Sequence, residues 1–332
     1  MSKTERLAQF GEGSRLARLV RRLGAWNGIL AFGYHRVATA DGPFDPGVCD
    51  ATPALLEEQV RLLARECDVI GPHEVEDAIR RRRGRSVLLT FDDGYRDNVV
   101  AALPILERHG VCATFFVTTG FLDDGTIAWW DEIAWMVHAS ARTRLPAGEP
   151  LGESLSLAPQ ERRATIRRLI AHYKSLAPDA GGDFLDAVAE ATASGRHTND
   201  GHGLWMSWDD VRTLRAAGMH IGGHTVTHRV LSRLAPGEQQ REIAGCRARI
   251  EAELGEPMRY FSYPDGGRDC FDEVTRRLLA EQGVELAFSL YGGYRGVRDW
   301  DRYDVRRRGL GPSASAERLA LMATLPQVFA WP

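Results

Sequence analysis

The sequence predicts an α/β protein built from parallel strand–helix–strand units. Short apolar runs rich in β-branched and aromatic residues recur along the chain, and amphipathic segments with helical spacing separate them. Several of the amphipathic segments end at a glycine, which terminates a helix well. Strands that alternate with helices in this way are typical of a parallel sheet or an α/β barrel.

Seven apolar runs are the strand candidates. In chain order they are GILAFGYH (28–35), SVLLTF (86–91), CATFFVT (112–118), MHIGGH (219–224), RYFSYP (259–264), ELAFSL (285–290) and DVRRRGL (304–310). The helix candidates include TPALLEEQVRLLAREC (52–67), NVVAALPILERHG (98–110), SWDDVRTLRAAG (207–218), PGEQQREIAGCRARIEAELG (236–255) and CFDEVTRRLLAEQG (270–283). In α/β barrels the functional residues sit at the carboxyl ends of strands.

The alternation is interrupted once, at about 121–205. This stretch is mostly helical, with TIAWWDEIAWMVHASA and APQERRATIRRLIAHYKSLA as its main segments. We expect either a lid or subdomain over the functional face, or a packing appendage. The predicted organisation is therefore an N-terminal basic helical segment (1–27), a main domain (28–315) interrupted by this insertion, and a C-terminal tail (316–332).

Composition and charge exclude several classes of protein. Hydrophobic residues make up 44% and charged residues 26%, as in ordinary globular proteins, and the net charge of −3 gives no reason to expect a nucleic-acid partner. The five cysteines are scattered and form no CxxC pair, so neither a disulfide framework nor a thiolate zinc site is indicated. The sequence carries no indication of oligomeric state.

The N-terminal residues raise a question of location. They contain no apolar segment of signal-peptide length, and no later run is long enough to span a membrane, so we expect a cytoplasmic protein. Residues 1–24 carry six basic and two acidic side chains. The amphipathic segment RLARLVRRLGAW either packs on the domain with a solvated basic face, or makes peripheral contact with an anionic membrane surface.

Two adjacent carboxylates follow the second strand candidate, in SVLLTFDDGYRDN. Like charges at the end of an apolar strand repel each other, and burial increases the cost, so either solvent or a cation must stabilise them. Successive side chains of a strand point to opposite faces. Gly94 allows a turn through which Asp92 and Asp93 can face one site.

A second polar cluster, HIGGHTVTH, supplies His224 and His228. Their spacing of four would place both imidazoles on one face of a helical turn after the strand. Two imidazoles and one carboxylate make a three-ligand metal set with a position open for water, and the second carboxylate remains available as a base. Such histidine pairs are also common as surface or packing residues. The two clusters at predicted strand ends favour a metal site.

Three motifs carry a resemblance to a known family. LLTFDDGYRDN, WDDVRTLRAAGMHIGGHTVTH and YFSYPDGG resemble the first three motifs of the polysaccharide deacetylases, also called NodB-homology proteins or family-4 carbohydrate esterases. The resemblance runs from about residue 28 to 310, apart from the insertion. It implies a distorted (β/α)7-type barrel with a mostly helical insertion, and a metal-dependent hydrolase that removes acetyl groups from N-acetylated sugars.

The resemblance also implies roles for particular residues. Asp93, His224 and His228 would bind one divalent metal ion, with zinc the first expectation and cobalt, nickel or iron also suited to this ligand set. Asp92 would be the general base that takes a proton from the attacking water. In the third motif the backbone N–H of Asp265 would stabilise the oxyanion, within a substrate-binding turn made of Tyr263, Pro264, Asp265 and Gly266.

The chain departs from the family pattern in two places. The third motif lacks the usual arginine and has Asp265 where an aromatic residue usually follows the proline. No histidine follows His228, so the acid of the usual C-terminal Leu-x-His motif is missing. GYHRV resembles the N-terminal motif of a circularly permuted branch, which implies His35 as the acid that protonates the departing amine; a packing histidine is the alternative.

Two further assignments remain open between neighbours or roles. Arg307 is our preferred partner for orienting Asp92, with Arg306 as the rival because neighbouring strand residues alternate faces. In the insertion, WWDE offers Trp130 and Asp131 either as sugar-stacking and hydroxyl-binding groups or as core residues at a helix start.

The sequence therefore predicts a cytoplasmic, metal-dependent N-deacetylase whose partner is an N-acetylated sugar. A nucleotide-linked or lipid-linked glycan precursor is the expected substrate. The alternatives are a hydrolase of small amides or cyclic imides from the same superfamily, and a catalytically dead carbohydrate-binding protein.

Overall fold

The computed structural model describes residues 26–81, 84–148, 152–177, 179–198, 203–312 and 314–330. They fall into two compact units. The first comprises the described residues within Met1–Ala38, Asp50–Asp123 and Leu204–Pro332, and the second those within Thr39–Cys49 and Asp124–Gly203. The predicted N-terminal basic segment lies, up to residue 25, outside the described residues.

The strands of the described residues are β1 (Gly28–Tyr34), β2 (Arg36–Val37), β3 (Cys49–Ala51), β4 (Asp68–Val69), β5 (Ser86–Phe91), β6 (Thr114–Val117), β7 (Arg144–Leu145), β8 (Leu155–Ser156), β9 (His220–Gly223), β10 (Tyr260–Ser262), β11 (Leu286–Ser289), β12 (Tyr294–Gly296) and β13 (Val305–Gly309). The α-helices are α1 (Pro53–Glu66), α2 (Val75–Arg81), α3 (Leu103–His109), α4 (Thr119–Asp124), α5 (Trp129–Ala139), α6 (Arg162–Ser175), α7 (Gly181–Thr192), α8 (Trp208–Ala216), α9 (Pro236–Leu254), α10 (Glu273–Glu281), α11 (Ala316–Thr324) and α12 (Pro326–Phe329).

Seven parallel strands close into a barrel in the order β1, β13, β11, β10, β9, β6, β5 and back to β1. Strand β1 closes the ring by pairing Ala31 with both Arg307 and Leu88. Each of the seven predicted strand runs contains one of these strands. The predicted α/β barrel is confirmed, and the short strands β4 and β12 extend it at β5 and β1.

Strand alternation divides the apolar residues between two buried clusters. One contains residues of a single alternating set on the barrel strands, including Ile29, Leu88, Phe116, Phe288 and Val305. The intervening residues belong to a larger cluster shared with the surrounding helices. Because Asp92 continues the alternation of Leu88, its carboxylate faces the barrel interior. Parallel strands place all their carboxyl ends at one face of the barrel.

The second unit is mostly helical, as predicted for the insertion. Helices α5, α6 and α7 accompany the antiparallel pair β7–β8. The unit has its own apolar cluster, which includes Ile133, Met136, Leu169, Phe184 and Val188.

The residues that we assigned to a C-terminal tail contain α11 and α12. Leu319 is fully buried, and the Trp26 indole N–H donates to the carbonyl of Ala323 at 2.9 Å. Among the described helices, we find none whose length and apolar character would carry it across a bilayer.

Candidate active site

The two adjacent carboxylates lie where β5 ends, and the backbone turns between them. Asp92 still belongs to the barrel hydrogen bonding, since its N–H donates to the carbonyl of Tyr34 at 2.8 Å. Asp93 then adopts a left-handed conformation with φ 74°, and Gly94 follows with φ 96°. The turn therefore begins one residue earlier than the glycine alone suggests. It directs both carboxylates to one end of the barrel.

Backbone strain concentrates in this region. Left-handed backbone at a residue other than glycine costs about 1–3 kcal/mol and clusters at functional sites. Of the five described non-glycine residues with positive φ, four belong to the predicted motifs: Asp93, Thr225, His228 and Asp265.

The loop that carries the two histidines differs from our expectation. The predicted helical turn between His224 and His228 is wrong, because Thr225 and His228 have φ of 67° and 58°. The turn is closed by the hydroxyl of Thr225, which accepts the His228 N–H at 2.9 Å. The two imidazoles still converge, with ring centroids 4.8 Å apart.

Glu242 on α9 explains why the loop is not helical. Its buried carboxylate accepts the backbone N–H of Val226 at 2.8 Å and that of Thr227 at 2.9 Å, and it also accepts the Thr227 hydroxyl. The backbone N–H groups of Val226 and Thr227 therefore donate to a side chain on α9, whereas in a helical turn they would donate to preceding backbone carbonyls. Sequence reasoning missed Glu242, because a glutamate on an amphipathic helix carries no local signal of such a role.

Three side chains meet with the geometry of a metal-ligand set. Oδ1 of Asp93 lies 3.4 Å from Nε2 of His224 and 3.3 Å from Nε2 of His228. The potential ligand atoms of the three residues all lie within 4.8 Å of one another. Nδ1 of His224 lies 2.8 Å from the carbonyl of Ser262, which requires this nitrogen to carry the proton. The Nε2 lone pair of His224 is then available to a metal.

The state of Asp93 supports this interpretation. Its Oδ1 is buried without a hydrogen-bond partner among the described residues, and such an oxygen is costly unless a cation compensates it. Burial raises the pKa of Asp93, but the neighbouring His224 and His228 outweigh this and hold the pKa well below its usual range. An ionised carboxylate beside two imidazoles fits a divalent transition-metal ion.

Arg307 holds Asp92 in a two-point ion pair inside the barrel. Its Nη1 lies 2.7 Å from Oδ1 and its Nη2 lies 2.8 Å from Oδ2 of the aspartate. The guanidinium also donates to the hydroxyls of Thr90 and Ser262 and to the carbonyl of Ser289. The side chain of Arg307 is fully buried. The clamp fixes the orientation of the Asp92 carboxylate.

The neighbouring Arg306 has different partners. Its Nε lies 3.2 Å from Asp304, and its guanidinium lies over the ring of Tyr291. Of the two rivals, Arg307 is the one that contacts Asp92.

His35 follows β1 and is paired with Asp50. The Asp50 carboxylate accepts the backbone N–H of His35 at 2.6 Å and lies 2.9 Å from its Nδ1. Burial lowers the pKa of His35, but the charge and hydrogen bond of Asp50, helped by Asp93 and Asp92, more than offset this and raise it to about 10. The imidazole therefore carries a proton at neutral pH. Asp50 was also missed, since it belongs to no motif.

The third motif forms a tight turn after β10. Asp265 and Gly266 both have positive φ, and the Gly266 N–H donates to the carbonyl of Pro264 at 2.7 Å. A methyl group on Gly266 would lie 2.6 Å from the backbone nitrogen of Leu290, so glycine is required here. The oxyanion role of the Asp265 N–H stays a prediction.

Tyr263 precedes this turn and is packed into the core. Its ring stacks on Phe271 with centroids 4.0 Å apart, and its hydroxyl donates to the carbonyl of Tyr303 at 2.8 Å. These contacts give Tyr263 a structural role, and its predicted role in substrate binding stays a prediction, as it does for Pro264 and Gly266.

Trp130 and Asp131 lie on α5 in the second unit, where both are buried. The Asp131 carboxylate accepts the backbone N–H of Asp45 at 2.8 Å. This bond joins the two chain segments of the unit. Sugar binding by either residue stays a prediction.

Replacing Glu242 tests whether it positions the histidine loop. We expect Glu242→Gln to lower the affinity for Zn²⁺ about 10–100-fold, because the Val226 and Thr227 donors lose the charged acceptor that fixes His228. The affinity is measured by calorimetry against a competing chelator. Glu253→Gln, on the same helix but paired with Arg212 and Arg249, is the control. Equal affinity in both variants would show that the loop holds its shape without Glu242.

Replacing Arg307 tests the clamp on Asp92. We expect Arg307→Ala to lower the free energy of unfolding by about 3–5 kcal/mol, because it leaves a buried carboxylate unpaired. Arg306→Ala is the matched control and should cost no more than about 1 kcal/mol, since its partner Asp304 keeps Arg295. Urea titration of both variants measures the difference. Similar losses would contradict the assignment.

Comparisons with known proteins agree with the fold and the motifs. The family model described as polysaccharide deacetylase matches residues 80–142 and 185–287. These segments contain Asp92, Asp93, His224 and His228, whereas His35 and Arg307 lie outside them. A Bacillus subtilis protein, YxkH, whose name describes it as a polysaccharide deacetylase, is 20% identical over 231 residues. That alignment covers 70% of this chain and 53% of YxkH, so the chain spans about half the length of this relative.

Solved structures share the architecture. The Streptococcus pyogenes deacetylase PplD, solved in complex with acetate, has a TM-score of 0.56 at 17% identity, covering 91% of this chain and 98% of its own. IcaB from Ammonifex degensii has a TM-score of 0.56 at 21% identity, covering 90% and 97%. These likenesses support the barrel fold. With the motifs at the carboxyl ends of its strands and the family match across both halves, the chain belongs to the polysaccharide deacetylase family.

Proposed function

We propose that the chain is a metal-dependent hydrolase that removes the acetyl group from an N-acetylated sugar. The observation that carries the proposal is the arrangement at the end of β5. A carboxylate clamped by a buried arginine, Asp92, stands directly beside the ligand set of Asp93, His224 and His228. Membership of the polysaccharide deacetylase family supports the same reaction class.

Asp93, His224 and His228 would hold the metal ion. When bound, it would supply Lewis acidity that polarises the acetyl carbonyl and lowers the pKa of a water molecule. Two imidazoles and a carboxylate favour zinc in our proposal, with cobalt, nickel and iron as alternatives.

Asp92 is the general base of the proposed reaction. Burial raises its pKa, but Arg307 and then His224 outweigh burial and hold the pKa below its usual range, so the carboxylate is ionised at neutral pH. Each carboxylate oxygen accepts one N–H from Arg307 and keeps further acceptor capacity. Asp92 accepts a proton from water as the water oxygen bonds to the acetyl carbon.

His35 is the general acid. Its imidazolium, held by Asp50, donates a proton to the sugar nitrogen as the carbon–nitrogen bond breaks. The products are acetate and a free amine. Both protons are accounted for, because the one that Asp92 gains comes from water and the one that His35 loses goes to the amine.

The substrate class is the finer part of the proposal. The nucleotide-linked or lipid-linked precursor and the cytoplasmic location stay predictions. Small amides remain the alternative, favoured by the absence of the usual arginine and aromatic residue from the third motif.

Acetate release tests the reaction. A panel of N-acetylated polymers, oligosaccharides, nucleotide sugars and lipid-linked sugars is offered to the wild type and to Asp92→Asn and His35→Ala. We expect release from at least one sugar class and a loss of about 10²–10⁴-fold in each variant, because each removes one proton-transfer group. Metal content is measured on all three proteins. If the metal-loaded wild type releases acetate from no sugar but hydrolyses a small amide, the small-amide alternative replaces the sugar proposal.

The pH profile tests the pairing of His35 with Asp50. An acid must be protonated to act, so activity is lost as the pH rises through the pKa of His35. Asp50→Asn removes the charge that raises this pKa, and we expect the alkaline limb of kcat/KM to move to lower pH. In the His35→Ala background the same change should leave the profile unaltered. An unshifted alkaline limb in Asp50→Asn would contradict the role of the pair.

A further inference from the structure

A cavity of about 820 Å³ lies at the end of the barrel opposite the catalytic residues. His220, Tyr260 and Leu286, which line it, are the first residues of β9, β10 and β11. In a parallel barrel the strand starts and the strand ends form opposite faces. The volume falls within the range of small-ligand sites, roughly 300–1,000 Å³. This cavity is therefore separate from the proposed catalytic site.

Two imidazoles meet at this cavity. The ring centroids of His73 and His220 are 4.9 Å apart. A methyl group on Gly71 would lie 2.6 Å from both Nε2 of His220 and Nδ1 of His73, so these two nitrogens lie close to each other beside Gly71. No hydrogen bond to another described residue accompanies the ring contacts of the pair. Among the described residues, these two nitrogens are therefore the ones at the cavity that a ligand could bind.

Carboxylates neutralise the arginines that line the cavity. Each arginine of the cavity is paired with a carboxylate: Arg80 with Asp77, Arg215 with Glu256, Arg259 with Glu285 and Arg302 with Glu76. Burial, followed by His73 and Arg215, lowers the pKa of His220 to about 4. The imidazole of His220 is neutral at physiological pH, which is the form that binds metals.

We propose that His73 and His220 form a second metal site, in which they bind a divalent transition-metal ion such as Zn²⁺, Ni²⁺ or Cu²⁺. Imidazole nitrogen suits these ions. The cavity provides the space for water or a small ligand to complete the coordination. With two protein ligands instead of three, the site is weaker than the one at Asp93, His224 and His228. It is also independent of the deacetylation that we propose.

Calorimetric titration of the metal-free protein with Zn²⁺ tests the second site. We expect the wild type to bind two equivalents, a tighter and a weaker one. His73→Ala should lose the weaker equivalent and keep the tighter, and His228→Ala should do the reverse. His73 is exposed, so its replacement leaves the core intact. His109→Ala is the control for a histidine outside both sites, since His109 contacts Glu57, and it should keep both equivalents.

Two results would overturn the proposal. One is a single equivalent in the wild type that disappears in His228→Ala. The other is a second equivalent that survives in both His73→Ala and His220→Ala. Acetate release by His73→Ala should equal that of the wild type once the tighter site is filled. A wild type without deacetylase activity would leave the count of two equivalents unaffected, so the two proposals fail separately.

Discussion

The ion pair between Arg307 and Asp92 is the interaction on which the candidate site depends. Removing both charges from water costs several kcal/mol per ion, and the structure offsets this only because every donor of the pair has an acceptor. Thr90, Ser262 and Ser289 supply those partners from β5, β10 and β11. One guanidinium from β13 thereby connects four strands of the barrel. The position of the Asp92 carboxylate therefore depends on closure of the barrel.

Most of the fold follows from local patterns in the sequence. Five of the seven barrel strands, β1, β5, β6, β10 and β11, are buried at every residue, as expected of apolar runs in a parallel barrel. Strand β13 is the exception, because its run VRRRG contains three arginines and is only partly buried. The residues at which helices begin were harder to predict. NVVAALPILERHG, for example, begins as a π-helix over Asn98–Ala102 before α3. Closure of the ring through β1 follows from long-range pairing, which periodicity does not encode, and only the family resemblance predicted it.

In the candidate site too, some residues could be predicted from the sequence and others could not. Asp92, Asp93, His224 and His228 are recognisable because each pair is close in sequence and stands at a strand end. The residues that fix them are not. Asp50 and Glu242 lie on the short strand β3 and on α9, and neither belongs to a recognisable motif, so only the tertiary contacts reveal them. Arg306 and Arg307 are neighbours on one strand, so their side chains point to opposite faces. Only the closed barrel shows that Arg307 is the one that points inward to Asp92.

The clamp on Asp92 has an electrostatic consequence for the ligand set. Arg307 balances Asp92, and Asp50 balances the His35 imidazolium, so Asp93 is left as the uncompensated anion among these five groups. A divalent ion held by Asp93 and two neutral imidazoles would keep one net positive formal charge. That surplus would strengthen its pull on a developing oxyanion. One positive charge also matches the single negative charge of acetate, the product of the proposed reaction. We therefore expect small carboxylate anions to compete with the substrate for this end of the barrel.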